Sequence, residues 1–346
     1  MQSRPKGRGF KPNSLMKAIV MTAPGEPEVL QLQTVPDPAP PQGTQLLIRL
    51  RAAGVNPIDT KLRQRGTFYP DQMPAILGCD GAGTVEAVGP LVERYRPGDA
   101  VYFCYGGLGN QPGTYAEYTI VEERWVAPKP ETLSFAEAAA APLVLITAWE
   151  ALYDRARLQA VQTVLIHGGA GGVGHVALQL ARLQGAKVCT TVSDARKAAI
   201  VQSLGADSII CYREMDFVQA TLKWTEGKGV HTAFDTVGGS LLEQTFGAVR
   251  VYGDVVTILA PAAQTDWKVA RDRNLRISLE LMLTPQLQGL IEAQKHQVRI
   301  LEDCARWFDQ GLLKIHVSDR FPLAEAAAAH HCLQQGGRIG KIVLEV

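Results

Sequence analysis

The chain of 346 residues has no Cys-x-x-Cys pair, no long apolar run and no excess of charge of either sign. Each absence excludes something. The six cysteines (Cys79, Cys104, Cys189, Cys211, Cys304 and Cys332) are scattered, which argues against a disulfide framework and for free, mostly buried thiols. No stretch offers the roughly 20 apolar residues of a membrane helix, and the N-terminus lacks the apolar core of a secretory signal. A net charge of +1 supplies no basic surface for nucleic acid or acidic lipid. The expected setting is the cytoplasm, with neither nucleic acid nor membrane as partner.

What is present points to two domains, since this length exceeds one compact core comfortably. Residues 1–15 carry four Lys or Arg and two Pro without apolar periodicity, and are expected to form a disordered extension. Residues 16–136 hold short apolar runs broken by Gly and Pro, a β-rich texture. Ser134–Glu137 is a capping box that opens an Ala-rich helix, and Pro142 interrupts it. From 137 to 284, β-branched runs at 161–166, 187–192, 208–211, 231–234, 254–258 and 276–280 alternate with helical patterns. That is the rhythm of a parallel doubly wound α/β sheet. The last run alternates polar and apolar residues like a sheet edge, which invites pairing with a second copy. After Pro285, two helical stretches and a terminal strand complete the flanking domain (16–136 and 285–346).

The most informative segment lies at the start of the inner domain. Val164–Gly174 reads as a buried strand running into glycines, followed by a helical pattern from His175. Gly169, Gly171 and Gly174 fit the G-x-G-x-x-G dinucleotide fingerprint. The first allows a tight turn, the second lets the backbone approach a pyrophosphate, and the third lets helix and strand pack closely. With Gly172 and Val173, this turn presents the positive end of a helix to the phosphates. The reaction site of such a sheet is expected at the carboxyl ends of its strands, in the cleft toward the other domain.

The tip of the second strand decides which dinucleotide binds. A carboxylate there accepts hydrogen bonds from a ribose hydroxyl, whereas a 2′-phosphate needs cations. The tip residue is read as Ser193, with Arg196 and Lys197 on the next helical turn able to clamp a phosphate. Asp194 lies twenty residues beyond Gly174, near the spacing of the acidic residue of NAD sites, and equally suits a helix N-cap. Charge complementarity favours NADPH.

Four segments, Gly54–Arg63, Pro74–Gly89, His167–Gly174 and Gly340–Leu344, resemble the zinc-free quinone oxidoreductase branch of the medium-chain dehydrogenases/reductases, from about Met16 to the C-terminus. The resemblance implies a Rossmann sheet inserted in a GroES-like catalytic domain, NADPH as hydride donor, and a homodimer. It also implies that Lys197 and Tyr212 contact the 2′-phosphate, that Thr236 in the turn after strand four touches the cofactor, and that Arg338 does so near the C-terminus. Zinc-containing relatives carry Cys at the position of Asn56, Gly-His-Glu at Gly78–Asp80, and a third ligand near Pro142 or Leu143. With Cys79 as the one thiol left, an open three-ligand zinc site is not expected, and no metal is assigned.

Without metal, the expected chemistry is hydride transfer to an activated acceptor: a quinone or an α,β-unsaturated carbonyl. Asn56 is the first candidate to stabilise the resulting anion, with Tyr69 as a second donor and Lys61 as a source of charge or a proton. Each also has a plainer reading. Asn56 before Pro57 suits a turn, Asp59 a helix cap, Tyr69 a surface aromatic and Lys61 a solvated charge. His167 suits a structural hydrogen bond, and the adjacent His330 and His331 face different ways on a helix. The competing functions are NAD(H)-linked alcohol or aldehyde chemistry, supported by Asp194, and an NADPH-binding sensor or structural protein without turnover.

Overall fold

The computed structural model describes residues 14–346; the expected extension at 1–15 falls almost wholly outside them. Strand β1 (Leu15–Met21) already includes Leu15, one residue before the expected start. The strands of the first part of the chain are β2 (Leu30–Pro36), β3 (Gln45–Val55), β4 (Asp80–Val88), β5 (Ala100–Cys104), β6 (Tyr118–Glu122) and β7 (Ala127–Pro128). The middle part supplies β8 (Thr163–Ile166), β9 (Lys187–Val192), β10 (Ser208–Cys211), β11 (Val230–Asp235), β12 (Val249–Thr257) and β13 (Arg276–Leu279). Strands β14 (Val317–Pro322) and β15 (Lys341–Glu345) close the chain.

The chain divides into two units. The first runs to Leu143 and takes in Pro285–Gly311 and Ile315–Val346. Its larger sheet has the order β14-β15-β3-β4-β5-β7, with β6 also pairing β3, and β1 pairs β2 separately. Alternation along β3 builds the core. Leu46, Ile48 and Leu50 enter one apolar cluster with Val85, Val101 and Phe103, whereas Leu47 enters another with Met16, Ala18 and Ala116. Helix α1 (Pro57–Arg65) follows β3 directly. Helix α2 (Phe135–Ala140) opens with the reciprocal Ser134–Glu137 capping box and packs on β3 and β4. That packing carries the unit to Leu143, past the sequence-based division at 136/137.

The second unit, Val144–Thr284 with Leu312–Lys314, is a six-stranded sheet in the order β10-β9-β8-β11-β12-β13, parallel at every pairing. In order of appearance this is 3-2-1-4-5-6, the doubly wound arrangement whose direction reverses between β8 and β11. Helix α3 (Pro142–Trp149) continues into a π-helical stretch, Glu150–Arg155. Helix α4 (Gly174–Leu183) follows β8, and α5 (Ala195–Ser203) follows β9. Ahead of β8, Val161 sits at φ 62° with its side chain in solvent. A β-branched residue there carries roughly 1–2 kcal/mol of strain. Val161→Gly is therefore expected to stabilise the fold by about 1 kcal/mol, read as a raised Tm.

Candidate active site

Strand β8 ends at Ile166, and the chain then turns through His167 and the glycines. A Cβ on Gly169 would lie 2.0 Å from Thr190 Oγ1, and one on Gly174 would lie 2.2 Å from the carbonyl oxygen of Gly168. These two glycines are demanded by the protein's own packing. A Cβ on Gly171 meets only the Gly168 oxygen, at 3.2 Å, so the outer side of the turn at Gly171 is clear of protein atoms. Gly172 borders it, half-buried. Val173 occupies the N-cap of α4 without any side-chain cap, which leaves the positive helix end available to an anion. The cradle fits a dinucleotide pyrophosphate.

Neighbouring strand ends converge on the same sheet edge. The Gly168 N–H donates to Thr191 Oγ1 at 3.0 Å and the Gly169 N–H to the Thr191 carbonyl at 3.1 Å. Thr236, after β11, donates its hydroxyl to the His167 carbonyl at 2.7 Å. Buried Asp235 holds that turn by accepting from the N–H groups of Val237 and Gly238, both at 2.9 Å. His167 is buried between Thr191 and Thr245, and burial pushes its pKa down to about 4. It is neutral near pH 7 and joins Thr191 of β9 to the end of the helix Ser240–Thr245.

At the tip of β9, Lys197 Nζ donates to Ser193 Oγ at 2.9 Å, and Ser193 donates to Asp194 Oδ2 at 2.7 Å. Asp194 is the N-cap of α5: its Oδ1 accepts from the Lys197 N–H at 3.0 Å. Hydrogen bonds from Ser193 and from the backbone of Lys197 hold its carboxyl below the usual carboxylate range. Arg196 is exposed on the same turn. Tyr212 follows β10 with its side chain largely in solvent and its N–H on the Val192 carbonyl at 3.1 Å. Ser193, Arg196, Lys197, Tyr212, Thr236 and the glycines thus share one edge of the second unit. Arg338 belongs to the first unit, where it faces Asp319 at 3.4 Å.

The first unit contains a buried polar cluster. Asn56 is fully buried before α1; its backbone N–H donates to Asp59 Oδ2 at 2.8 Å, half of a capping box. Its Nδ2 donates to Asp80 Oδ2 at 2.9 Å, and its Oδ1 accepts from Lys341 Nζ. Lys341 also donates to the Val55 carbonyl at 3.2 Å and lies 3.9 Å from Asp80 Oδ2. Tyr115 donates to Asp59 Oδ2 at 3.1 Å and lies 3.1 Å from His330 Nε2. Burial pushes the Asp59 carboxyl up to about 7. The other two sequence candidates differ from this cluster in burial. Lys61 is exposed on α1, on a different face from buried Asp59 and Arg63, and Tyr69 is half-buried ahead of a short 3-10 turn.

The donor set does not suit catalytic zinc. Cys79 is fully buried and is the one thiol at the three ligand positions. The Asn56 amide is engaged at both ends. Leu143 contributes a backbone N–H to Asp80 Oδ1 at 2.9 Å and no ligand side chain. Among the described residues, no group of three or more His, Cys, Asp and Glu could hold a metal ion, and no helix is long and apolar enough to cross a membrane.

Sequence reasoning missed Lys341, Asp80 and Tyr115. The available signal was a lysine opening the apolar terminal strand Lys341–Leu344, where a charge is out of place unless paired.

Comparison with known proteins agrees with both units. Residues 42–131 match the alcohol dehydrogenase GroES-like domain, and residues 204–344 match the zinc-binding dehydrogenase family. The chain is 31% identical to the quinone oxidoreductase of Mus musculus over 341 residues, covering 95% of this chain and 98% of that one. Among solved structures, an alcohol dehydrogenase superfamily protein from Novosphingobium aromaticivorans superposes with TM-score 0.87 at 35% identity, over 96% of this chain and 99% of the other. Escherichia coli quinone oxidoreductase complexed with NADPH gives 0.83 at 29%, over 95% and 100%. Fold and kinship together define an NAD(P)-dependent oxidoreductase. The chain belongs to the medium-chain dehydrogenase/reductase superfamily, in its quinone oxidoreductase-like branch.

Proposed function

We propose that this protein reduces a quinone or an α,β-unsaturated carbonyl with NADPH and without a metal. The observation that carries the cofactor choice is the tip of β9. Asp194 is committed to capping α5, while the Lys197 ammonium reaches Ser193. The group facing a ribose 2′-substituent is then a cation beside a hydroxyl, which matches a phosphate and offers no carboxylate in the NAD manner. Arg196 and Tyr212 flank it, and the Escherichia coli relative is an NADPH complex. When bound, NADPH supplies the hydride. Acceptors that need no further polarisation suit a donor set unfit for zinc.

The acceptor becomes an anion as hydride arrives. A side-chain amide carries two N–H donors, and Asp80 takes one of those of Asn56. The second is assigned to the developing oxyanion, with the Tyr69 hydroxyl as a supporting donor; Lys61, on the solvent side of α1, is the outermost of the three candidates. The protein is assigned to the cytoplasm. A homodimer is part of the same reading: β13 is the last strand on its side of the sheet, with Leu279 exposed at its end and Leu281 just beyond it.

The test follows loss of NADPH absorbance with a panel of quinones, enones and aldehydes, with and without a chelator. Turnover of quinones or enones unaffected by chelation is expected. Tight NADPH binding with no acceptor turned over would leave a sensor, and chelator-sensitive alcohol oxidation would reverse the metal assignment. Lys197→Ala is expected to raise the Kd for NADPH about 10- to 100-fold, the loss of one charge-assisted hydrogen bond, with NADH binding unchanged. Equal effects on both would refute the phosphate assignment.

A further inference from the structure

Strand topology delivers two charged side chains to the end of β3. In the register of the first unit, Val55 pairs with Ile342 of β15 on one side, and Gly54 pairs with Asp80 of β4 on the other. The residue after β3, Asn56, is therefore flanked by the first residue of each neighbouring strand, Lys341 and Asp80. Gly54 permits the close approach: a Cβ there would lie 2.9 Å from Asp80 Cβ and 2.4 Å from the Ala139 carbonyl oxygen.

Resting on the reading of Asn56 as a donor to substrate, we infer that Lys341 is a positioning residue: with Asp80 it clamps the Asn56 amide and aims its remaining N–H. The Lys341 ammonium faces the amide oxygen and the Asp80 carboxylate faces the amide nitrogen. A flipped amide would set N–H against an ammonium and a carbonyl against a carboxylate, so both interactions would turn repulsive. The clamp is itself anchored. Lys341 is tied to the Val55 carbonyl and Asp80 to the Leu143 N–H. Stability alone does not call for this arrangement, because an apolar side chain of similar volume holds a sheet without burying an ammonium. An unclamped amide samples two orientations, and the donor is then misplaced for part of the time.

Lys341→Met alone leaves Asp80 buried without its counter-charge and risks unfolding, so the informative variant is Lys341→Met/Asp80→Asn. It leaves the net charge of the core unchanged, and its one amide oxygen at position 80 can accept from Asn56 Nδ2 only by giving up the Leu143 N–H. Expected is a folded protein with wild-type Kd for NADPH and a kcat for quinone reduced about 10-fold or more. Asn56→Ala should lower kcat by about 100-fold, and adding the double change to it should cost nothing further, since Lys341 acts through Asn56. A merely structural role would instead add its loss in both backgrounds. Wild-type kcat in the folded double variant, or an additive loss in the Asn56→Ala background, would overturn the inference while leaving Asn56 as donor. Wild-type kcat in Asn56→Ala would remove the donor reading, and the inference with it.

Discussion

Asp59→Asn is expected to abolish a loss of folding stability, of up to about 4 kcal/mol, that the wild type suffers as pH rises from about 4 to about 7. Asp59 is buried beside Asp80, and burial with that like charge pushes its pKa from 3.8 to about 7. Across this interval the folded protein keeps a proton that the unfolded chain has released. The contribution is therefore complete below pH 3.8, declines as pH climbs, and is gone above about 7. Two buried histidines act in the opposite sense. His167 is pushed down to about 4 and His330 to about 3, so below about pH 6.5 the unfolded chain binds protons that the folded one refuses. Their stabilisation grows with pH and masks Asp59 in the wild-type curve. Subtracting the two proteins isolates it. Asn at this site still accepts from the Asn56 N–H and the Tyr115 hydroxyl, and cannot ionise. Denaturant unfolding from pH 5 to 8 should show the variant gaining on the wild type up to about pH 7 and keeping a constant lead beyond it. Parallel curves would mean that Asp59 ionises at its ordinary pH inside the fold.

The dinucleotide unit was legible because its signals are local. Strand, glycine turn and helix follow one another within twenty residues, and β9 and β10 have the bounds read from their β-branched runs. Sequence texture divides the chain at 136/137 and the first unit runs to Leu143: an Ala-rich helix looks like the start of a new layer, and its packing on β3 and β4 joins it to the first unit. The polar cluster was half legible. Asn56 reads as the start of a turn and Asp59 as a cap, whereas Asn56 is the N-cap and Asp59 lies inside the first turn; Lys341 reaches Asn56 across 285 residues. Spacing carries no trace of that hydrogen bond, because the β15–β3 pairing that makes it is set by the closing of the sheet. Asp194 shows the opposite case. Its position suited two roles, and the hydrogen bond it accepts from the Lys197 N–H shows it as a cap.

The three fingerprint glycines are expected to fail in different ways when each is replaced by Ala. In Gly174→Ala the new Cβ collides with a backbone oxygen at 2.2 Å. The turn itself must open, at an expected cost of about 3 kcal/mol, and cofactor binding is lost together with stability. Gly169→Ala drives into Thr190 Oγ1, which donates to the Ile166 carbonyl at 2.7 Å. Relief by rotating Thr190 breaks that bond and disturbs the β8–β9 pair. Gly171→Ala is the discriminating substitution. Its Cβ meets one atom at 3.2 Å, so stability should stay within about 0.5 kcal/mol of wild type. Yet on the proposed reading the methyl group stands where the pyrophosphate comes against the backbone. Removing two hydrogen bonds to phosphate, at about 1.5 kcal/mol each, raises the Kd for NADPH about 100-fold. Thermal unfolding and NADPH titration on the three variants separate what the turn does for the fold from what it does for the ligand. A Gly171→Ala protein that folds and binds NADPH like wild type would place the phosphates away from this turn.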